Sequence, residues 1–405
     1  MENIYISKPG VFCAAGKNID ELWQSVTTKN QKGIKKHKIC TGDEFYAARV
    51  DDSALKPAEY ARYDMKIIRL EEAALNQIAG DIEAARKRFG AERVAVCAGS
   101  CDNGTEFSLA AHRKFLAEGK FPQDYKLEMQ GADYVATYIS ERFELKGPSL
   151  AFATACSSSG SAVIKAAELI LSGFADAVVT GGVDIASDTA LAGFSSLEAI
   201  STEITNPFSK NRHGITMGDA AAFFLLSKDS TVFSSDSTTV RLLGFGESAD
   251  AYHATSPNPD GQGAVCAIKA ALERAGLKAL QIDYLNLHGT GTKLNDSMES
   301  LAVEQVFGSG KKSVPASSTK PVTGHTLGAA AALELSISYK TLIENFDENC
   351  NNILLPLQIW DGRKDPELAE LNFADKNGTA SGKIKTCMSN SFAFGGANVS
   401  LIIGF

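Results

Sequence analysis

Continuous apolar runs alternate with helical periodicity along the chain. RVAVCAGS (93–100) and ADAVVTGGVD (175–184) read as strands buried on both faces, because the apolar positions do not alternate with polar ones. Between them, SLAFATACSSSGSAVIKAAELILSG (149–173) passes from strand through a run of small residues into a strong helical pattern. The order recurs later. DYLNLHGTGT (283–292) is a strand ending in a glycine turn, and SVPASSTKPVTGHTLGAAAALELSISYKTLIEN (313–345) again gives strand, turn and small-residue helix. CMSNSFAFGGANVSLIIGF (387–405) closes the chain as two strands around glycines. The pattern predicts an α/β protein of two related lobes, 1–232 and 233–405, with the Ser/Thr-rich stretch at 227–240 as the connection. The helices after Cys156 and His325 are rich in Ala, Ser and Gly, which permits close approach and predicts central helices packed between sheets.

Composition narrows the function classes. With 405 residues, 44% hydrophobic and 22% charged, the chain can bury a large core without staples. Eight cysteines are spread without CxxC spacing, against a zinc site or a disulfide framework, and they suggest a reducing, cytoplasmic setting. No stretch approaches the roughly 20 apolar residues of a membrane span. A formal charge of −8 argues against nucleic acid, whose binding needs a basic surface. One local basic stripe stands out: the spacing of Arg62, Lys66 and Arg69 places them on one helical face, beside Glu71 and Glu72.

Cys156 stands where the strand pattern yields to helix. A thiol in a first helical turn meets unpaired N–H groups and the positive end of the macrodipole, which favour the thiolate. A small cysteine buried in the core is the alternative. Of six histidines, His288 in NLHGTGTKLND and His325 in STKPVTGHTLGAA occupy glycine turns at strand-to-helix breaks. A lone histidine there is commonly structural. Three such turns together offer a nucleophile and two imidazoles that can donate to a developing oxyanion.

These motifs carry a family resemblance over nearly the whole chain. ATACSSS, HGTGTKLNDSME, KPVTGHTLGAA, SADAYHATSP and SNSFAFGGANVSL occur in the order and with close to the spacing of the β-ketoacyl-acyl-carrier-protein synthases, elongating condensing enzymes of the thiolase superfamily, which this chain resembles. The resemblance implies a thiolase-like fold layered α-β-α-β-α. It implies that Cys156 accepts an acyl chain as a thioester, and that His288 and His325 polarise a malonyl thioester through loss of CO2 and condensation. Lys320 would hold the second histidine and the local field, with Glu334, Asp296 and Glu299 as supporting acids. The backbone N–H groups of Cys156 and Phe394 would form the oxyanion hole, with Phe394 as gate. Thr290 and Thr292 would bind the phosphopantetheine arm, and Thr255 and Ser256 would line its channel. An acidic acyl carrier protein would dock on Arg62, Lys66 and Arg69. A homodimer, or a heterodimer with a related subunit, is implied. No metal or other cofactor is, because the carrier supplies the phosphopantetheine.

Two stretches depart from the family pattern. NPFSKNRHGITMGDAAA carries Ser209, Asn211 and His213 where acidic residues are usual, so His213 is read as structural or surface. SNSFAFGG has Ala393 where glycine is usual, which would restrict the gate if that residue must visit positive φ. Both variants are similar to synthases of aryl-polyene-type pathways. A degradative thiolase would need a second cysteine in a glycine-rich turn, and Cys387 precedes the turn instead. A silent chain-length partner subunit would lack the nucleophile. A cysteine protease leaves the second histidine turn and Lys320 without a role.

Overall fold

The computed structural model describes residues 3–123, 125–234, 239–346, 353–375 and 383–405. Residues 235–238 of the expected connection lie outside this set. Among the described residues, twelve strands form one sheet, and Lys35–Lys38, Glu44–Ala48 and Met217–Gly218 form a separate three-stranded one. In the first half, Val94–Gly99 pairs in parallel with Ser149–Phe152 and with Ala177–Asp184, which runs antiparallel to Ala220–Ser227. In the second, Tyr284–Asn286 pairs in parallel with Pro315–Ser317 and Thr386–Phe392, and the latter runs antiparallel to Ala397–Gly404. Tyr5–Ile6 joins the halves by pairing with Ala220–Ser227 on one side and Val240–Ala249 on the other.

The strands Val94–Gly99 and Ala177–Asp184 are buried at every position because both faces are covered. Val94, Val96 and Ala98 meet the outer helices Lys66–Leu75 and Tyr134–Arg142, whereas Ala95 and Cys97 face the centre. In the second half, Leu285, Ala316, Met388 and Ile402 pack on the outer helices Gln262–Ala275 and Lys293–Phe307, and Tyr284, Cys387, Leu401 and Ile403 face inward. The central layer is the helix pair Ser158–Leu171 and Ala330–Glu344. This is the expected α-β-α-β-α order.

Small residues make the centre possible. A Cβ on Gly160 would lie 2.8 Å from Val399 Cγ1, closer than real contacts allow, and a tight 3.1 Å from Ala331 Cβ. Ser159 Oγ accepts the Ala332 N–H at 3.0 Å, linking the two helices directly. Each central helix is entered through a 3-10 turn, Ala155–Ser157 and Leu327–Ala329, and the first residue of each has φ of +51°. A left-handed conformation is costly for residues with a Cβ, so each turn is held by its surroundings. The two turns bring the heads of both helices together. Among the described residues no helix is long and apolar enough to cross a membrane.

Candidate active site

The nucleophile lies in the first of these turns. Cys156 is buried, and the regular helix begins at Ser158, two residues later than the sequence pattern suggests. In the other half His325 stands two residues before the first residue of the matching turn, and its Nε2 lies 3.0 Å from Cys156 Sγ. The His288 ring stands edge-on to that of His325, with centroids 5.4 Å apart.

Donors behind the rings fix their protons. The Leu327 N–H donates to His325 Nδ1 at 3.3 Å, so the neutral ring carries its proton on Nε2, facing the sulfur. Lys320, expected to hold the second histidine, instead holds the first: its Nζ lies 3.5 Å from His288 Nδ1 and donates to the His288 carbonyl, which leaves Nε2–H free at that ring too. Burial, reinforced by Lys320, holds both imidazoles well below their ordinary pKa. Both are therefore neutral donors at physiological pH. Cys156 Sγ and the histidine nitrogens lie within 4.8 Å of one another, near enough to share a soft cation. Coordination through Nε2 would move each ring proton to Nδ1, against a facing donor.

Acids under the site hold the backbone. Lys320 is fully buried and paired with Glu334 at 2.5 Å. Glu299 accepts the N–H groups of His288 and Gly289 at 2.7 Å each, which fixes the glycine turn. Asp296 accepts from Phe208 N–H at 2.7 Å and Gly291 N–H at 3.2 Å. Burial pushes Glu299 up to about 8, Glu334 to about 7 and Asp296 to about 6.

Burial also decides the nucleophile. It pushes the Cys156 thiol up to about 11, against the pull of Lys320 and the Phe394 N–H. The expectation of a resting thiolate is thereby corrected. Desolvation outweighs the helix head, and the thiol is protonated at neutral pH.

Two cavities meet at Cys156. The larger, about 480 Å³, is lined by His288, His325, Thr290, Thr292, Thr255 and Ser256. The Thr290 and Thr292 hydroxyls are 2.9 Å apart. The smaller, about 410 Å³, is lined by Ala153, Ile185, Ala190 and Leu327. Phe394 and Phe194 line both and stack with centroids 5.8 Å apart, forming a partition. Ala393 is extended, at φ −106°, and the positive φ angles fall on Gly395 (83°) and Gly396 (79°). In this conformation alanine at 393 therefore costs nothing. His213 is exposed at the mouth of the larger cavity, its Nε2 3.0 Å from Thr202 Oγ1.

The basic stripe does not form. Arg62 lies in the 3-10 turn Ala61–Tyr63, and the extended Met65 separates it from the helix that starts at Lys66. The four-residue spacing therefore places no common face. Arg62 pairs with Glu141, Lys66 turns in to Asp219 at 3.0 Å, and Arg69 is held by Asp64 at 2.6 and 2.9 Å. Sequence reading missed Asp184, Phe194 and the Leu327 N–H. Only Asp184 left a signal, as an acid ending the apolar strand VVTGGVD.

The chain matches the beta-ketoacyl synthase N-terminal domain over residues 1–231 and the C-terminal domain over 240–346. It is 31% identical to 3-oxoacyl-[acyl-carrier-protein] synthase 2 of Coxiella burnetii, over 99% of this chain and 98% of that protein. Identity to the Staphylococcus aureus (strain COL) protein of the same description is 28%, with the same coverage. Among solved structures, the complex of the ketosynthase ApeO with its chain length factor ApeC from Xenorhabdus doucetiae matches with a TM-score of 0.88 and 35% identity, covering 100% of this chain and 98% of that one. A beta-ketoacyl synthase from Burkholderia phymatum matches at 0.82 and 28%, covering 100% and 99%. With both family domains spanning the two halves that supply Cys156 and the histidines, this chain belongs to the beta-ketoacyl synthase family.

Proposed function

We propose that this protein is a 3-oxoacyl-acyl-carrier-protein synthase that elongates carrier-bound acyl chains by decarboxylative condensation. The observation that carries the reading is the convergence of Cys156 Sγ with His325 Nε2 at 3.0 Å, beside His288, with a donor behind each Nδ1. Two neutral rings that present N–H suit an enolate oxygen and do not suit a general base.

In the first half-reaction Cys156 attacks the carrier's acyl thioester. The S–C bond to the protein forms, the bond to the pantetheine sulfur breaks, and the thiol proton ends on the departing pantetheine. In this reading the Phe394 N–H, which pulls the Cys156 thiol down, donates to the tetrahedral oxyanion. In the second, the malonyl thioester oxygen receives the two Nε2–H donors while the carboxylate leaves as CO2. The resulting enolate carbon attacks the acyl-Cys156 carbonyl and expels the thiolate, which takes up one proton. Each preorganised donor of this kind contributes about 2.7–4 kcal/mol to barrier lowering.

In this reading the larger cavity takes the phosphopantetheine arm along Thr290, Thr292, Thr255 and Ser256, and the smaller takes the acyl chain. The arm belongs to the carrier protein, so the synthase needs no metal or cofactor of its own. The similarity to the ApeO–ApeC complex supports pairing with a related subunit. The SNSFAFGG and NPFSKNR variants support a polyene-type pathway. The reaction would run in the cytoplasm.

Intact-protein mass spectrometry with a panel of acyl carrier proteins, using Cys156→Ala as control, tests the reading. A chain-specific mass gain that requires Cys156 and disappears when malonyl carrier is added is expected. No gain with any chain, alone or with a related subunit present, would point to a silent partner subunit.

A further inference from the structure

Asp184 ends the strand Ala177–Asp184, is 1% exposed, and gathers donors from both halves of the chain. Its Oδ1 accepts from the Ser100 hydroxyl at 3.0 Å and from the N–H groups of Cys101 and Asp102 at 3.1 Å each. Its Oδ2 accepts from the Cys101 N–H at 2.9 Å and the Gly328 N–H at 2.6 Å. The first group lies beside the nucleophile's turn, since Cys101 Sγ is 3.2 Å from the Ala155 carbonyl and 3.7 Å from Ser158 Oγ. The second lies in the histidine's turn, next to the Leu327 N–H that sets the His325 proton. A Cβ on Gly328 would stand 2.6 Å from Oδ2, so the approach requires glycine.

We propose that Asp184 is a positioning residue that locks the His325 turn against the Cys156 turn, keeping the Leu327 N–H on Nδ1 and hence the Nε2–H of His325 aimed at the reacting atoms. This rests on the synthase reading above. Leu327 sits at φ +51°, a strained conformation that persists only while neighbouring contacts over-determine it. The Gly328 bond is the contact that follows it directly. Ordinary acceptors could staple the fold here, but a carboxylate presents acceptors on both edges at once. Asparagine cannot do so. Whichever way its amide turns, an NH2 faces an N–H, and one half of the lock opens.

The test is Asp184→Asn, with Gly328→Ala and the double variant, read in two ways. ¹⁵N-histidine NMR reports the His325 tautomer, assigned with His325→Asn and requiring no turnover. The wild type is expected as the Nε2–H form and D184N as a mixture of tautomers. Kinetically, kcat for malonyl-thioester decarboxylation is expected to fall by about ten- to a hundredfold with KM little changed, the usual scale for a misplaced catalytic group. Acylation of Cys156 should change far less. The double variant should lose no more than the worse single one, because both break the same lock. An unaltered tautomer in D184N, or equal loss in both half-reactions, would overturn the proposal and leave Asp184 as a fold staple. If D184N does not fold, the G328A spectrum decides by the same criterion. If the wild type catalyses no condensation, the synthase reading fails while the tautomer measurement still judges the lock.

Discussion

Alkylation of Cys156 by iodoacetamide across pH measures which force governs the nucleophile. Burial pushes the thiol up to about 11, while Lys320 and the Phe394 N–H pull it down. At pH of about 7.5 a thiol with a pKa of about 11 is ionised to about 3 × 10⁻⁴, against about 0.1 for a free cysteine near 8.5. A more basic thiolate is the better nucleophile, so with a Brønsted slope of about 0.45 the difference of about 2.5 pK units returns about 13-fold of that roughly 300-fold deficit. Cys156 should therefore react about 20-fold more slowly than a free thiol, with the rate rising tenfold per pH unit to about pH 10. Peptide-level mass spectrometry is required, because Cys40, Cys101 and Cys266 are exposed and compete for the reagent. A plateau below about pH 8, or a rate above that of the free thiol, would refute the reasoning and show that the helix head and its donors outweigh burial. The expected result fits the chemistry, since a protonated thiol resists stray electrophiles and ionises only as a thioester is attacked.

Two further outcomes follow from the packing. Gly160→Ala places a Cβ 2.8 Å from Val399 Cγ1, and overpacking of about 1–3 kcal/mol exceeds a helix-propensity gain of about 1 kcal/mol. Its Tm should fall and recover in part with Val399→Ala, whereas a rise in the single variant would contradict the close helix approach. Phe394→Ala keeps the backbone N–H but removes half of the aromatic partition between the two cavities, so acyl-Cys156 should still form yet hydrolyse several-fold faster, by roughly the benefit of excluding water. An unchanged acyl-enzyme lifetime, followed by intact mass, would show that the ring is no barrier.

The sequence alone determined the layers and the chemistry-bearing turns. Strands that are apolar at every position, such as VAVCAG at 94–99, have to be covered on both faces, and the small-residue helices after Cys156 and His325 fit only in a crowded centre. Motif order supplied Cys156, His288, His325 and Lys320, because each is bound to a local turn that the chain writes out contiguously. What only the tertiary structure decided depends on groups far apart in sequence. The tautomer of His325 is set by a backbone N–H, which no residue identity reveals. The state of Cys156 follows from total desolvation, a sum over both halves that overrides the local helix terminus. Arg62, Lys66 and Arg69 looked like one basic face, but an extended residue at Met65 and acids as distant as Glu141 and Asp219 separated and neutralised them. Asp184 gains its meaning in the same way, because its acceptors unite residues 84 and 144 positions apart. Local pattern fixes which backbone a segment adopts, while the field and the hydrogen-bond partners at a buried site belong to the whole folded chain.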